Sequence, residues 1–280
     1  MANYAALKDK LRNASEAKIL ILDSGMLQFL YEHQDVLKQN EIFEGYDLLL
    51  IPGWVQAEYG HHPGKTEYVA SVPLADVLVL EESEDYRAMI DYDEKRLMEL
   101  FKLSAPYSEA QKFFNLLTKR DFIDWDDWID QFYEEGFHTR QTEAGRTTRK
   151  NAGEVSILTL CFLLLSHYPA QIHNIAIATG DFGLIPIKNN IEKNANQPKL
   201  NLGISLPAKI SFLSKDVTMF QAVKRGSLQV EDIPSLRPNN SSSIYLELFD
   251  DGTNAYRQRV LETTKFVEMC RHHQSYIVIY

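Results

Sequence analysis

Four short apolar runs constrain the fold of this chain more than any other feature. AKILIL leads into Asp23, LLLI is closed by Pro52, VLVL leads into two glutamates, and IAIA leads into Thr179-Gly180-Asp181. Each is too short for a stable helix, too continuous for a half-exposed strand, and bounded by turn residues. Such runs read as strands buried on both faces. AKISFLS supplies a fifth candidate strand. Helical patterns alternate with these strands. Met26, Leu27, Leu30 and Leu37 fall roughly on one face of SGMLQFLYEHQDVLKQ, GWVQAEYGHH makes a short helix, and NAGEVSILTLCFLLLSHY a strongly apolar one. The alternation predicts an α/β fold: three layers, α/β/α, with a mainly parallel central sheet.

The remaining stretches set the domain plan. Residues 4–17 read as a leading amphipathic helix. Between 84 and 135, EDYRAMIDYDEKRLMELFKL, SEAQKFFNLLTKR and DWDDWIDQFYEE read as successive helices without a strand, followed by a polar, basic loop, FHTRQTEAGRTTRK. SLRPNNSSS is the clearest flexible segment. Beyond it, TNAYRQRVLETTKFVEMCRHH reads as a helix and SYIVIY as a strand. The plan is therefore one domain over 1–235 with a helical insertion at about 81–150, and a helix–strand extension over 236–280 packed on it.

Composition narrows the function classes. A formal net charge of −10 argues against the broad basic surface of a non-specific DNA binder, but not against a site that concentrates carboxylates beside a local basic patch. Two cysteines, Cys161 and Cys270, form no CxxC pair or disulfide framework, which points to a reducing, cytoplasmic setting. The longest apolar stretch, ILTLCFLLL, is about half of the roughly 18 to 20 residues that a membrane span needs, so no membrane partner is expected. No P-loop, dinucleotide fingerprint or GxSxG elbow is present.

Four acids stand where chemistry gathers in open parallel sheets, outside the carboxyl ends of the strands. Asp23 follows the first strand and Asp181 the fourth. Glu58 lies in the short helix after the second strand. Glu154 opens the apolar helix, behind Asn151 as a candidate N-cap. Each has a plainer reading: Asp23 as an N-cap, Glu58 as a solvated helix residue, Glu154 as a complement to the helix dipole, Asp181 as an Asx turn. Clustered carboxylates raise one another's pKa, and a hard cation such as Mg2+ or Mn2+, which prefers oxygen ligands, relieves that repulsion.

In this order, the segments ILILDSGMLQFL, LLLIPGWVQAEYG, NAGEVSILTLCFLL and IAIATGDFGLIPI resemble the four motifs of PIN-domain nucleases. The likeness covers roughly residues 18–80 and 150–225. It implies metal ligands and catalytic groups at Asp23, Glu58, Glu154 and Asp181, with Thr179 and Ser24 supporting the site. The implied activity is metal-dependent cleavage of single-stranded RNA with Mg2+ or Mn2+, in a toxin, defence or RNA-processing role. A protein inhibitor or homo-oligomer is the kind of partner such a role implies. The family often carries another acid two residues after the fourth-motif aspartate, and here that residue is Gly183. This puts a second metal ion in doubt.

Arg140, Arg146, Arg149 and Lys150 precede Glu154 in a Thr- and Gly-containing loop, where they either hold RNA phosphates or are merely solvated. His61 and His62 lack the Cys or His partners of a zinc site. The helical spacing of Trp125, Trp128, Phe132 and Tyr133 favours core packing over base stacking. Two rival readings stand beside the nuclease. A haloacid-dehalogenase-like phosphatase needs a second aspartate two residues after the first, where this chain has Gly25. A catalytically inactive PIN-like scaffold is favoured by Gly183 and opposed by the presence of Glu58 and Glu154, which a dead site does not need.

Overall fold

The central sheet is built from β1 (Ala17–Leu22), β2 (Leu48–Pro52) and β3 (Val77–Leu80). A short antiparallel hairpin of β4 (Thr139–Gln141) and β5 (Thr147–Arg149) comes next in the chain, and β6 (Ile172–Ala178) and β7 (Ile210–Leu213) complete the sheet. The computed structural model describes residues 2–74, 76–121, 123–142, 145–198, 200–203 and 209–280. Ala208 of the fifth predicted strand and Glu143 and Ala144 of the predicted basic loop lie outside them.

All five strands of the sheet are parallel, in the order β3-β2-β1-β6-β7. Every residue of β2, and all of β1 except Lys18, is buried. Consecutive residues of a strand point to opposite faces, so both faces of the sheet are covered, as the unbroken apolar runs require. The chain moves outward from β1 to β3, then returns through β6 on the other side of β1. This reversal opens a crevice beyond the carboxyl ends of β1 and β6, the usual place for a ligand in such a sheet.

The Ala152–His167 helix is buried on nearly every side, which is why its sequence is apolar all round rather than amphipathic. It packs on β2, β6 and the Gly53–Tyr59 helix. Asn151 occupies its N-cap position in the left-handed region, with φ 68°, but its side chain makes no capping bond. Among the described residues, no helix is long and apolar enough to cross a membrane.

Several predicted elements differ from the structure. The helix expected over 24–39 ends at Glu32, which leaves Leu37 beyond it, and the leading helix expected over 4–17 is Ala2–Asn13, with Ala17 already in β1. The single helix expected at 84–103 is interrupted. A π-helical turn (Glu82–Tyr86) and a short helix (Arg87–Met89) end at Asp91 and Tyr92, which have φ 51° and 62°. The Asp93 carboxylate then accepts from the Arg96 N–H at 3.2 Å and starts a new helix, Glu94–Ser104. Side-chain capping competes with helix continuation and wins here.

A further difference lies in the extension. Serines 241–243, expected to be flexible, begin β8 (Ser241–Leu248), and the first half of the expected last helix is β9 (Asn254–Leu261). Asp251 turns the chain at Gly252 (φ 79°) by accepting from the Thr253 N–H at 2.9 Å. Only Thr263–Arg271 is α-helical; a 3-10 turn, His273–Ser275, links it to β10 (Tyr276–Val278). These strands form an antiparallel sheet of order β10-β8-β9. A buried pair fixes the extension to the α/β unit: Arg237 Nε donates to Asp216 Oδ1 at 2.8 Å, and Ser243 donates to Asp216 Oδ2.

Candidate carboxylate site

The register of β1 on β6 brings the first and last acids together. Leu22 lies beside Ala178, and the next amide, Asp23 N–H, donates to Ala178 O at 3.0 Å. Thr179 therefore stands next to Asp23, and its buried hydroxyl donates to Asp23 Oδ2 at 3.1 Å. The same hydroxyl oxygen accepts the Asp181 N–H at 3.0 Å. One threonine thus fixes both aspartates. Asp181 Oδ1 also accepts the Gly183 N–H at 2.7 Å, so the Asx-turn reading of this residue holds alongside its place in the site.

Glu58 reaches the crevice from the Gly53–Tyr59 helix, and the Ser24 hydroxyl donates to its Oε2. Glu154 enters from the first turn of the Ala152–His167 helix. Gly153 lets that helix approach closely: a Cβ there would lie 3.1 Å from Glu58 Oε1 and 3.1 Å from Val55 Cγ2. Asp23 is buried, while Glu58, Glu154 and Asp181 are half-buried.

Electrostatics couples the four. Burial raises the Asp23 carboxyl above its ordinary range and the Asp181 charge adds to the shift, against the opposing hydrogen bond from Thr179. Burial, with the Asp23 charge, lifts Glu58 to about 7, opposed by hydrogen bonds from Ser24 and the Gly153 backbone. Burial lifts Glu154 to about 8, and the charges of Asp23, Glu58 and Asp181 all add to it. Among the described residues, no lysine, arginine or histidine forms an ion pair with any of them.

Among the described residues, no three His, Cys, Asp or Glu side chains are grouped as ready-made ligands of one metal ion. The donor set is nevertheless the kind that suits a hard divalent cation. Its oxygens belong to acids that disfavour one another's ionisation, and the cationic charge that eases this, that of Lys65 on Glu58, is the weakest of the influences on that group.

The basic loop folds as the β4–β5 hairpin beside Glu58. A cavity of about 50 Å3 lies between them, lined by Glu58, His61, Tyr133, Arg146, Thr148 and Arg149. Arg149 is engaged within the protein: its guanidinium lies 4.2 Å from the Tyr133 ring centre and pairs with Glu134. Arg140, Arg146 and Lys150 are exposed. His62 caps the Pro63–Ala70 helix, its Nδ1 accepting the Lys65 N–H at 3.3 Å. Trp128 and Phe132 are fully buried core residues.

Three further groups were not singled out from the sequence. Glu82 is buried just beyond β3, and burial lifts its carboxyl to about 8. The acid directly after β3 is Glu81, so the signal that marked Asp23 points one residue short of Glu82. Tyr107, in the insertion, feels the charges of Glu154 and Asp181; Tyr280, in the extension, feels those of Asp181 and Asp23. No sequence signal marks either tyrosine, because each reaches the crevice only through tertiary packing. Comparison with family models, curated proteins and solved structures gives no match to this chain.

Proposed function

We propose that this chain is a PIN-like, metal-dependent endoribonuclease that hydrolyses phosphodiester bonds of single-stranded RNA. The observation that carries the reading is the Thr179 hydroxyl shared by Asp23 and Asp181, with Glu58 and Glu154 electrostatically coupled to the same crevice. Asp23, Glu58, Glu154 and Asp181 would hold Mg2+ or Mn2+. The ion would supply positive charge against the phosphate and its leaving oxygen. Thr179 and Ser24 orient the carboxylates. The exposed Arg146 and Lys150 meet the RNA backbone, where cationic side chains add affinity without reading sequence.

A second reading, an inactive scaffold of the same fold that binds RNA or protein, is favoured by Gly183 and by the lack, among the described residues, of three ready-made ligands. The phosphatase reading gains nothing: Gly25 stands against Asp23, where that chemistry needs an acid. Labelled single-stranded RNA, titrated with Mg2+ and Mn2+, separates the three. Metal-dependent cleavage supports the nuclease. Binding without cleavage at any metal concentration leaves the scaffold. Turnover of p-nitrophenyl phosphate alone would instead indicate the phosphatase.

A further inference from the structure

Tyr280 is 3% exposed, and among the described residues its buried hydroxyl has no hydrogen-bond partner. Its position is not that of a fraying chain. Tyr280 N–H donates to Ile244 O at 3.1 Å, Ile244 N–H donates to Tyr280 O at 2.9 Å, and Ile279 N–H donates to Ile244 O at 2.7 Å. The ring packs edge-on against Phe182, at 5.2 Å and 83°, and against Phe212 of β7, at 5.8 Å and 71°. Phe182 directly follows Asp181, so these contacts bring the tyrosine to the Asp23–Asp181 side of the crevice.

A phenylalanine would fill this space equally well. The hydroxyl instead adds a buried polar group that is costly without a partner. Burial and the charges of Asp181, Asp23 and Asp216 push its pKa up, so it remains a protonated donor. Neither carboxylate accepts it directly. A buried donor without an acceptor, whose ring packs on Phe182 next to Asp181, calls for an acceptor that the described residues do not supply.

We propose that the Tyr280 hydroxyl donates a hydrogen bond to a non-bridging phosphate oxygen of the substrate held at the Asp23–Asp181 side of the site. The three-stranded extension, through β8 and β10, thereby supplies a substrate contact to the α/β unit. The inference rests on the nuclease reading.

The test compares the full chain with its Tyr280→Phe variant by calorimetry, first with Mn2+ alone and then with inorganic phosphate at saturating Mn2+. Thermal melting of the metal-free proteins serves as the structural control. Mn2+ should bind both proteins alike, and the variant should melt no lower than the wild type. Phosphate should bind the variant about tenfold more weakly, the size expected for one hydrogen bond to a charged group. Equal phosphate affinity overturns the role of Tyr280 while leaving the carboxylate site intact. A variant that melts lower and loses Mn2+ and phosphate in parallel makes Tyr280 a packing residue, which also overturns it. Failure of the wild type to bind Mn2+ removes both the metal site and this inference.

Discussion

Glu82 Oε1 accepts the Trp54 backbone N–H at 3.0 Å, at the start of the helix that carries Glu58. The Ser156 hydroxyl donates to the same oxygen from the helix that carries Glu154. One buried carboxyl therefore sets the spacing of two site helices without itself entering the crevice. Gly53 makes room for it, since a Cβ there would lie 2.7 Å from Glu82 Oε2.

Glu82 should make stability depend on pH. Burial raises its folded pKa to about 8, from an ordinary value of 4.5. The folded state thus holds this proton at pH values where the unfolded chain has released it. Its contribution is fully present below about pH 4.5 and is lost as pH rises through 8. Asp23, Glu58 and Glu154 act in the same direction. Glu82→Gln keeps an acceptor oxygen for Trp54 and Ser156 and removes the titration. Urea midpoints from pH 5 to 9 should fall less steeply in the variant than in the wild type. Parallel slopes would show that Glu82 does not titrate in this window.

Asp23→Asn tests the site most directly. The amide is nearly isosteric and leaves one oxygen for Thr179, so far-UV circular dichroism should match the wild type. RNA cleavage should fall by about 100-fold or more, as when a charge-stabilising group is removed from an active site. A second readout needs no substrate. Mn2+ that binds only the folded protein raises its melting temperature, and this rise should shrink or vanish in the variant. An undiminished rise would place the ion elsewhere.

Thr179→Val removes the hydroxyl shared by the two aspartates and keeps the side-chain volume. Asp23 Oδ2 loses its donor and the Asp181 N–H its acceptor. Residues that orient metal ligands typically change metal affinity by about 10- to 100-fold when removed, and a loss of that size in Mn2+ affinity is expected. A change under twofold would reduce Thr179 to a packing residue.

The parts of this architecture visible in the sequence are those set by local pattern. The runs at 17–22 and 48–52 declare themselves because the central strands β1 and β2 are buried on both faces and so almost wholly apolar; β3, β6 and β7, at 77–80, 172–178 and 210–213, keep half-buried or exposed positions and are marked by their apolar residues alone. Asp23 and Asp181 follow from their places at strand ends. The β8–β9 hairpin was harder to see. Arg257, Gln258 and Arg259 lie in an exposed edge strand, where no hydrophobic alternation is enforced, and they suit a helix equally well by propensity. The Asp251-Gly252 turn was the available signal. Tyr280 was beyond reach, since nothing local relates it to Phe182, Asp181 or Asp23.

The extension should behave as part of the same folding unit. Arg237 and Asp216 are each almost fully buried, and the guanidinium also reaches Thr263 at 3.2 Å and Leu261 O at 3.0 Å. Breaking a buried pair by removing one partner leaves the other uncompensated, at a cost of about 3 to 5 kcal/mol. Arg237→Ala should therefore lower the stability of the whole chain by that order in chemical denaturation, with one cooperative transition. An early, separate transition would instead mark an extension that unfolds alone.

The hairpin arginines should separate RNA binding from stability. Arg149 is tied to Tyr133 and Glu134 and is only 12% exposed, so Arg149→Ala should lower the melting temperature along with any loss of RNA affinity. Arg146 is exposed beside the cavity at Glu58. Arg146→Ala should leave melting unchanged and weaken RNA binding, with a salt dependence shallower by about one ion released. Fluorescence anisotropy with a labelled single strand, across a salt series in Ca2+ or without metal, measures both effects. If Arg146→Ala binds RNA as the wild type does at every salt concentration, the β4–β5 hairpin does not face the nucleic acid, and the basic contacts must be sought on another edge of the crevice.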